Sequence, residues 1–127
     1  MGKPVYTNLT ASDPLYTELA WKSVPEVNGR YYTGENYLVP VKVLDARTSN
    51  EVLGLQVAFV ESTCSRRVAE VTKDKCPVNR DGYRSVWDVI VKKIAYFNEP
   101  KFNYRFSASP ITGADFSKDF EAIFKTL

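Results

Sequence analysis

Histidine is absent from the 127-residue chain. Its absence removes imidazole acid–base catalysis, the Ser-His-Asp triad and His-ligated metal sites. Cysteine is scarce, with Cys64 and Cys76 as the two thiols. Two thiols cannot build a four-cysteine zinc site. A disulfide is the favoured reading, and the loop it closes would contribute roughly 3 kcal/mol in the chain-entropy picture. Two reduced structural thiols are the alternative. No apolar run approaches the ~20 residues that a membrane helix needs. A charge excess is also missing: 17 basic and 15 acidic residues leave +2, too little to argue for a nucleic-acid surface or a polybasic membrane anchor. No signal-peptide pattern opens the chain, since Met1-Gly2-Lys3-Pro4 leads straight into polar sequence. If the protein is secreted, the chain is expected to be a mature or recombinant form. Asp115, Asp119 and Glu121 read as a solvated helix face rather than a catalytic pair, so an enzyme is not expected, nor a cofactor or a metal.

What is present fits one domain with one core. Residues 1–12 lack periodicity and read as a flexible N-terminal arm, with Asn8-Leu9-Thr10 as a glycosylation sequon. Asp13-Pro14 has the pattern of a helix start, N-cap then first-turn proline. Leu15, Tyr16, Leu19, Ala20, Val24 and Val27 follow at helical spacing and form one apolar stripe. Asn28-Gly29 is a stop signal, and Pro25 predicts a kink or loosening. Period-two alternation then takes over. Tyr37, Val39, Val41 and Val43 are expected on one face of a long strand, in which Pro40 implies an edge or a bulge. Further alternation covers Leu55–Val60, Tyr83–Lys92 and Phe102–Ser107. A last amphipathic segment carries Phe116, Phe120, Ile123, Phe124 and Leu127, with Asp115 as the expected cap. One helix followed by strands with no crossover helix gives an α+β class with an antiparallel sheet.

The residues, taken in order, resemble a cystatin of the secreted invertebrate type. Leu19 to Asn28 (LAWKSVPEVN) is similar to the family's central helix, which ends in an acidic–apolar–Asn triplet. Tyr37 to Arg47 (YLVPVKVLDAR) resembles the strand that follows, and Gly54 to Cys64 (GLQVAFVESTC) resembles the next. Cys76-Pro77 resembles the partner of the first family disulfide, and Trp87 to Val91 matches the following strand. The resemblance runs over about residues 13–106. It implies a long helix packed on a curved antiparallel sheet of four to five strands. The expected organisation is an arm over 1–12, a cystatin-like domain over 13–107, and a linker with a C-terminal amphipathic helix over 108–127.

The resemblance also implies a function. Cystatins block papain-like cysteine proteases with a wedge made of an N-terminal trunk and two hairpin loops, which enter the active-site cleft without presenting a cleavable bond in attack geometry. Here the trunk would include Pro4 and Val5, with Gly2 as the candidate trunk glycine. The first loop would be Asn50, Glu51, Val52, Leu53 and Gly54, the glycine being the residue expected to take φ > 0 in a tight hairpin. The second loop would be Glu99, Pro100 and Lys101, or Ile94-Ala95, without the family's tryptophan. The implied function is reversible competitive inhibition of cathepsin L/B-like proteases, weakened by that loss. The alternative is a non-inhibitory structural or recognition domain, such as the pro-region of a cathepsin F-like protease. The implied setting is extracellular, with Cys64–Cys76 oxidised. No nucleic acid or membrane is expected as a partner. A monomer is expected, with helix-plus-strand exchange into a dimer as the variant state.

Overall fold

The computed structural model describes residues 6–29, 31–50, 52–95 and 102–127. Helix α1 (Pro14–Lys22) begins as expected, with the Asp13 carboxylate accepting from the Leu15 N–H at 2.9 Å. It stops at Ser23, and a short α2 (Val24–Gly29) follows at once, the Glu26 and Val27 N–H groups returning to the Ser23 carbonyl. The break falls two residues before Pro25, which has no N–H to return to Trp21 and no room for its ring in an unbroken helix.

The strands are β1 (Thr7–Asn8), β2 (Asn36–Ser49), β3 (Val52–Ser65), β4 (Arg84–Ala95) and β5 (Phe102–Pro110), in spatial order β1-β2-β3-β4-β5. All neighbours are antiparallel. Residues 1–12, read from sequence as a flexible arm, are thus attached to the sheet in their described part. Thr7 and Asn8 pair with Thr48 and Arg47, and the Leu9 N–H reaches the Ala46 carbonyl at 2.9 Å. Their polar sequence carries no alternation, because two paired residues are too short to show any.

One face of the sheet is covered by the first helices. Leu19, Ala20, Val24 and Val27 pack on Val43, Ala46, Leu55, Val57, Phe59, Trp87, Val89 and Val91. Buried Asn28 stitches the two layers. Its Nδ2 donates to the Val24 and Leu38 carbonyls at 2.8 and 3.0 Å, and its Oδ1 accepts the Leu38 N–H at 2.8 Å. In β2 the expected single face of Tyr37, Val39, Val41 and Val43 does not hold. Register shifts between Asn36 and Leu38, Pro40 and Lys42, and Val43 and Asp45 turn Leu38, Val43 and Ala46 to the helices, while Val41 and Leu44 face away. At the last two shifts β2 carries one residue more than β3, and each such extra residue reverses the alternation beyond it; at the first the extra residues lie on β3. Pro40 sits at one of these shifts, as its missing N–H requires.

The opposite face is covered too. Helix α3 (Ser117–Thr126) lays Phe120 and Ile123 on Ala58, Val60 and Val86, flanked by Ile111, Phe116 and Phe124. Its N-cap position is Phe116, not Asp115. The Asp115 carboxylate instead accepts from the Ser117 hydroxyl and N–H at 2.7 and 3.0 Å, bonds that hold its pKa below the usual value. The last member of the stripe, Leu127, is 51% exposed. At the other end of α3, Arg80 donates to the Phe124 and Leu127 carbonyls, a cation placed where the helix dipole favours one. Arg84 lies over the Phe124 ring at 4.2 Å.

Cys64 and Cys76 form a disulfide and, with Val39, a small cluster of their own. The Arg66 guanidinium donates to the carbonyls of Asn28, Tyr32 and Gly34, fixing the exit of α2. Nearby, burial and the Glu61 carboxylate beside it raise the Tyr32 hydroxyl above its ordinary pKa.

Candidate functional site

The β2–β3 turn is a two-residue connection, closed by the Ser49↔Val52 pair and by the Thr48 hydroxyl donating to the Val52 carbonyl at 3.0 Å. Asn50 opens the turn with φ 54° and is exposed. Two-residue hairpin turns need left-handed backbone, and asparagine tolerates it better than most residues. Glu51 lies outside the described residues.

Gly54 does not make this turn, contrary to the sequence reading. It sits inside β3, paired with Arg47 on one side and Ile90 on the other. A Cβ there would meet its nearest neighbours at 3.7–3.8 Å, ordinary contact distance. The left-handed geometry has moved upstream to Asn50, because Ser49 already pairs with Val52. Leu53, also assigned to the loop from sequence, is a strand residue that packs against the main core. Val52 is half-buried on the opposite face.

Two other segments meet this end of the sheet. β1 runs antiparallel to β2, so the chain ahead of Thr7 heads toward the turn. Tyr6 is 51% exposed there, and the Arg47 guanidinium lies 5.2 Å from its ring. The β4–β5 connection leaves from the same end, after the Ala95↔Phe102 pair. Ile94 and Ala95 are strand residues, so the second loop is the connection over 96–101. Pro4, Val5, Glu99, Pro100 and Lys101 lie outside the described residues. Of the ten residues assigned to the edge, the structure therefore puts Asn50 and Val52 at the turn and Leu53 and Gly54 within the strand.

Tyr6 and Arg47 belong to this edge as well, and sequence reading does not find them. Their meeting depends on the β1–β2 register, which no local pattern encodes. Among the described residues no group of three or more His, Cys, Asp or Glu is placed to hold a metal. No helix is long and apolar enough to cross a membrane.

No family model matches the chain. The nematode protein cystatin cpi-1 of Caenorhabditis elegans is 35% identical over 99 residues, covering 71% of this chain and 66% of that protein. The matched chain thus spans just under two thirds of that relative's length. Among solved structures, a salivary cystatin from the soft tick Ornithodoros moubata superposes with a TM-score of 0.61 at 17% identity, over 83% of this chain and 98% of that one. Dimeric human cystatin F superposes with a TM-score of 0.58 at 13% identity, over 89% of this chain and 93% of that one. At such identities the two structures speak for the fold alone. The nematode relative, matched over 71% of the chain, carries the assignment further: this chain belongs to the cystatin family.

Proposed function

We propose that the chain is a secreted inhibitor of papain-like cysteine proteases of the cathepsin L/B type, acting by reversible competitive block and performing no catalysis itself. One observation carries this reading. The segment ahead of β1, the β2–β3 turn and the β4–β5 connection leave the sheet at the same end, with Asn50 exposed between the other two. An edge built from three chain segments fits a cleft as a plug and offers no extended peptide across a nucleophile. The disulfide supports an extracellular setting.

Active-site-titrated papain or cathepsin L, mixed with increasing protein, tests the reading. Stoichiometric competitive inhibition is expected; none at micromolar concentration overturns it. Gly54→Arg sets a long cation between Arg47 and Ile90, two residues from Val52, and is expected to abolish inhibition while the circular dichroism spectrum stays native. A second reading, a non-inhibitory recognition domain, is favoured by Leu53, whose side chain is spent on the core rather than on a partner. The same titration separates the two.

A further inference from the structure

The end of the sheet that carries the turn is also its cationic end. The register of β3, β4 and β5 sets Val52, Lys92 and Arg105 side by side in one cross-strand row. Lys92 and Arg105 are direct partners on adjacent strands, and both are exposed. Like charges in that position repel and weaken the pair. The ion pairs of the described residues are Arg47–Asp45, Lys75–Glu70 and Lys125–Glu121, so neither cation of the row has an acidic partner among the described residues. Lys93, also exposed, joins Lys92, Asn50 and Val52 around a shallow depression beside the turn.

The acids of the same sheet lie too far away to offset this. Asp45 and Asp88 share the row of Gln56, four residues along β3 from Val52, about 13 Å at ~3.4 Å per strand residue. That exceeds the ~8 Å screening length at physiological salt. Lys3, Glu51, Glu99 and Lys101, which lie outside the described residues, sum to zero formal charge. Lys92 and Arg105, at one end of a chain whose whole net charge is +2, give the molecule a charged tip.

From this we infer that the Lys92–Arg105 row selects the target by charge: the partner is a papain-like protease whose cleft rim is acidic on the side that receives β4 and β5. The inference rests on the inhibitor reading above and adds to it the charge of the enzyme. An acidic rim would relieve the Lys92–Arg105 repulsion and steer encounter, so the row acts on the association rate more than on the lifetime of the complex.

Stopped-flow association and dissociation rates, measured at 20 mM and 300 mM salt against two active-site-titrated papain-like proteases of opposite net charge, test it. The wild-type chain is expected to associate at least 10-fold faster with the acidic enzyme at low salt, and to lose most of that advantage at high salt. Lys92→Glu with Arg105→Glu is expected to remove the advantage while the dissociation rate changes less than threefold. Lys92→Gln with Arg105→Gln gives the same result at smaller amplitude if the reversed charges unfold the chain. A distant reversal, Lys73→Glu with Lys118→Glu, makes the same change in net charge and is expected to keep the advantage. Equal, salt-insensitive rates with both enzymes overturn the inference and leave the inhibitor reading standing. So does a loss as large in the distant variant, which would assign the effect to net charge. No block of either enzyme at micromolar concentration overturns the inhibitor reading and takes this inference with it.

Discussion

Asn50 and Gly54 divide between them what the sequence assigns to one residue. Glycine is the default for left-handed backbone, and reading Gly54 as the turn residue follows that default. The register instead leaves a two-residue turn and gives its left-handed position to Asn50. Side-chain identity near a turn says that a turn exists; the position of the last cross-strand pair says which residue bends. Asn50→Gly is therefore expected to leave stability within about 0.5 kcal/mol, and Asn50→Val to lower it by about 1–2 kcal/mol, the cost of a β-branched residue with φ near +54°. Urea unfolding midpoints of the two variants check this, and equal midpoints would return the turn to another residue. Asn28 has the opposite history. The acidic–apolar–Asn ending of the helix is legible as a pattern, but its physical reason appears only in the structure, where one amide serves three backbone groups across two layers. Removing it would leave the Leu38 N–H buried without that acceptor.

At the scale of elements, helices were easier to read than their surroundings. The stripe from Tyr16 to Val27 and the break near Pro25 are both encoded locally, in apolar spacing and in a missing N–H, whereas Leu15, read as the stripe's first member, is 50% exposed at the start of α1. The C-terminal stripe is legible too, but not the surface it covers, since periodicity describes a face and says nothing of its partner. The structure seats α3 on the side of the sheet away from α1 and α2. Phe120→Ala is expected to cost about 3 kcal/mol through the cavity it leaves against Ala58, Val60 and Val86. The candidate edge lies at the other end of the strands, so inhibition measured below the unfolding midpoint is expected to persist. If Phe120→Ala instead abolished inhibition while the fold held, α3 would belong to the binding surface. β2 was the least legible element. The three register shifts belong to its pairing with β3, and alternation read along a single chain cannot show them.

For the molecule as a whole, the antiparallel α+β class followed from the sequence, and in the structure each strand pairs with its successor in the chain. A meander needs no topological choice once the strands are located. The fifth strand, within the four to five that the resemblance implies, leaves no pattern of its own because Thr7–Asn8 is too short. The disulfide closes the loop between Cys64 at the end of β3 and Cys76. Its reduction is expected to lower stability by about 3 kcal/mol, the chain-entropy value for a loop of this length, read as a downward shift in the guanidinium midpoint with and without a phosphine reductant. An unchanged midpoint would mean that the unfolded chain gains little freedom when the loop opens. The candidate edge was legible as a set of segments. Its composition was not: Tyr6, Arg47, Lys92 and Arg105 come together through pairing between strands distant in sequence.

The grip of Arg80 on the last carbonyls of α3 has a practical side. It anchors Leu127 near the start of β4, at the pole remote from Asn50. A fluorophore, bead or fusion partner joined after Leu127 would leave the turn unobstructed, whereas the same cargo ahead of Tyr6 would crowd it. Immobilised in these two orientations on a sensor surface, one chain should look like two different reagents.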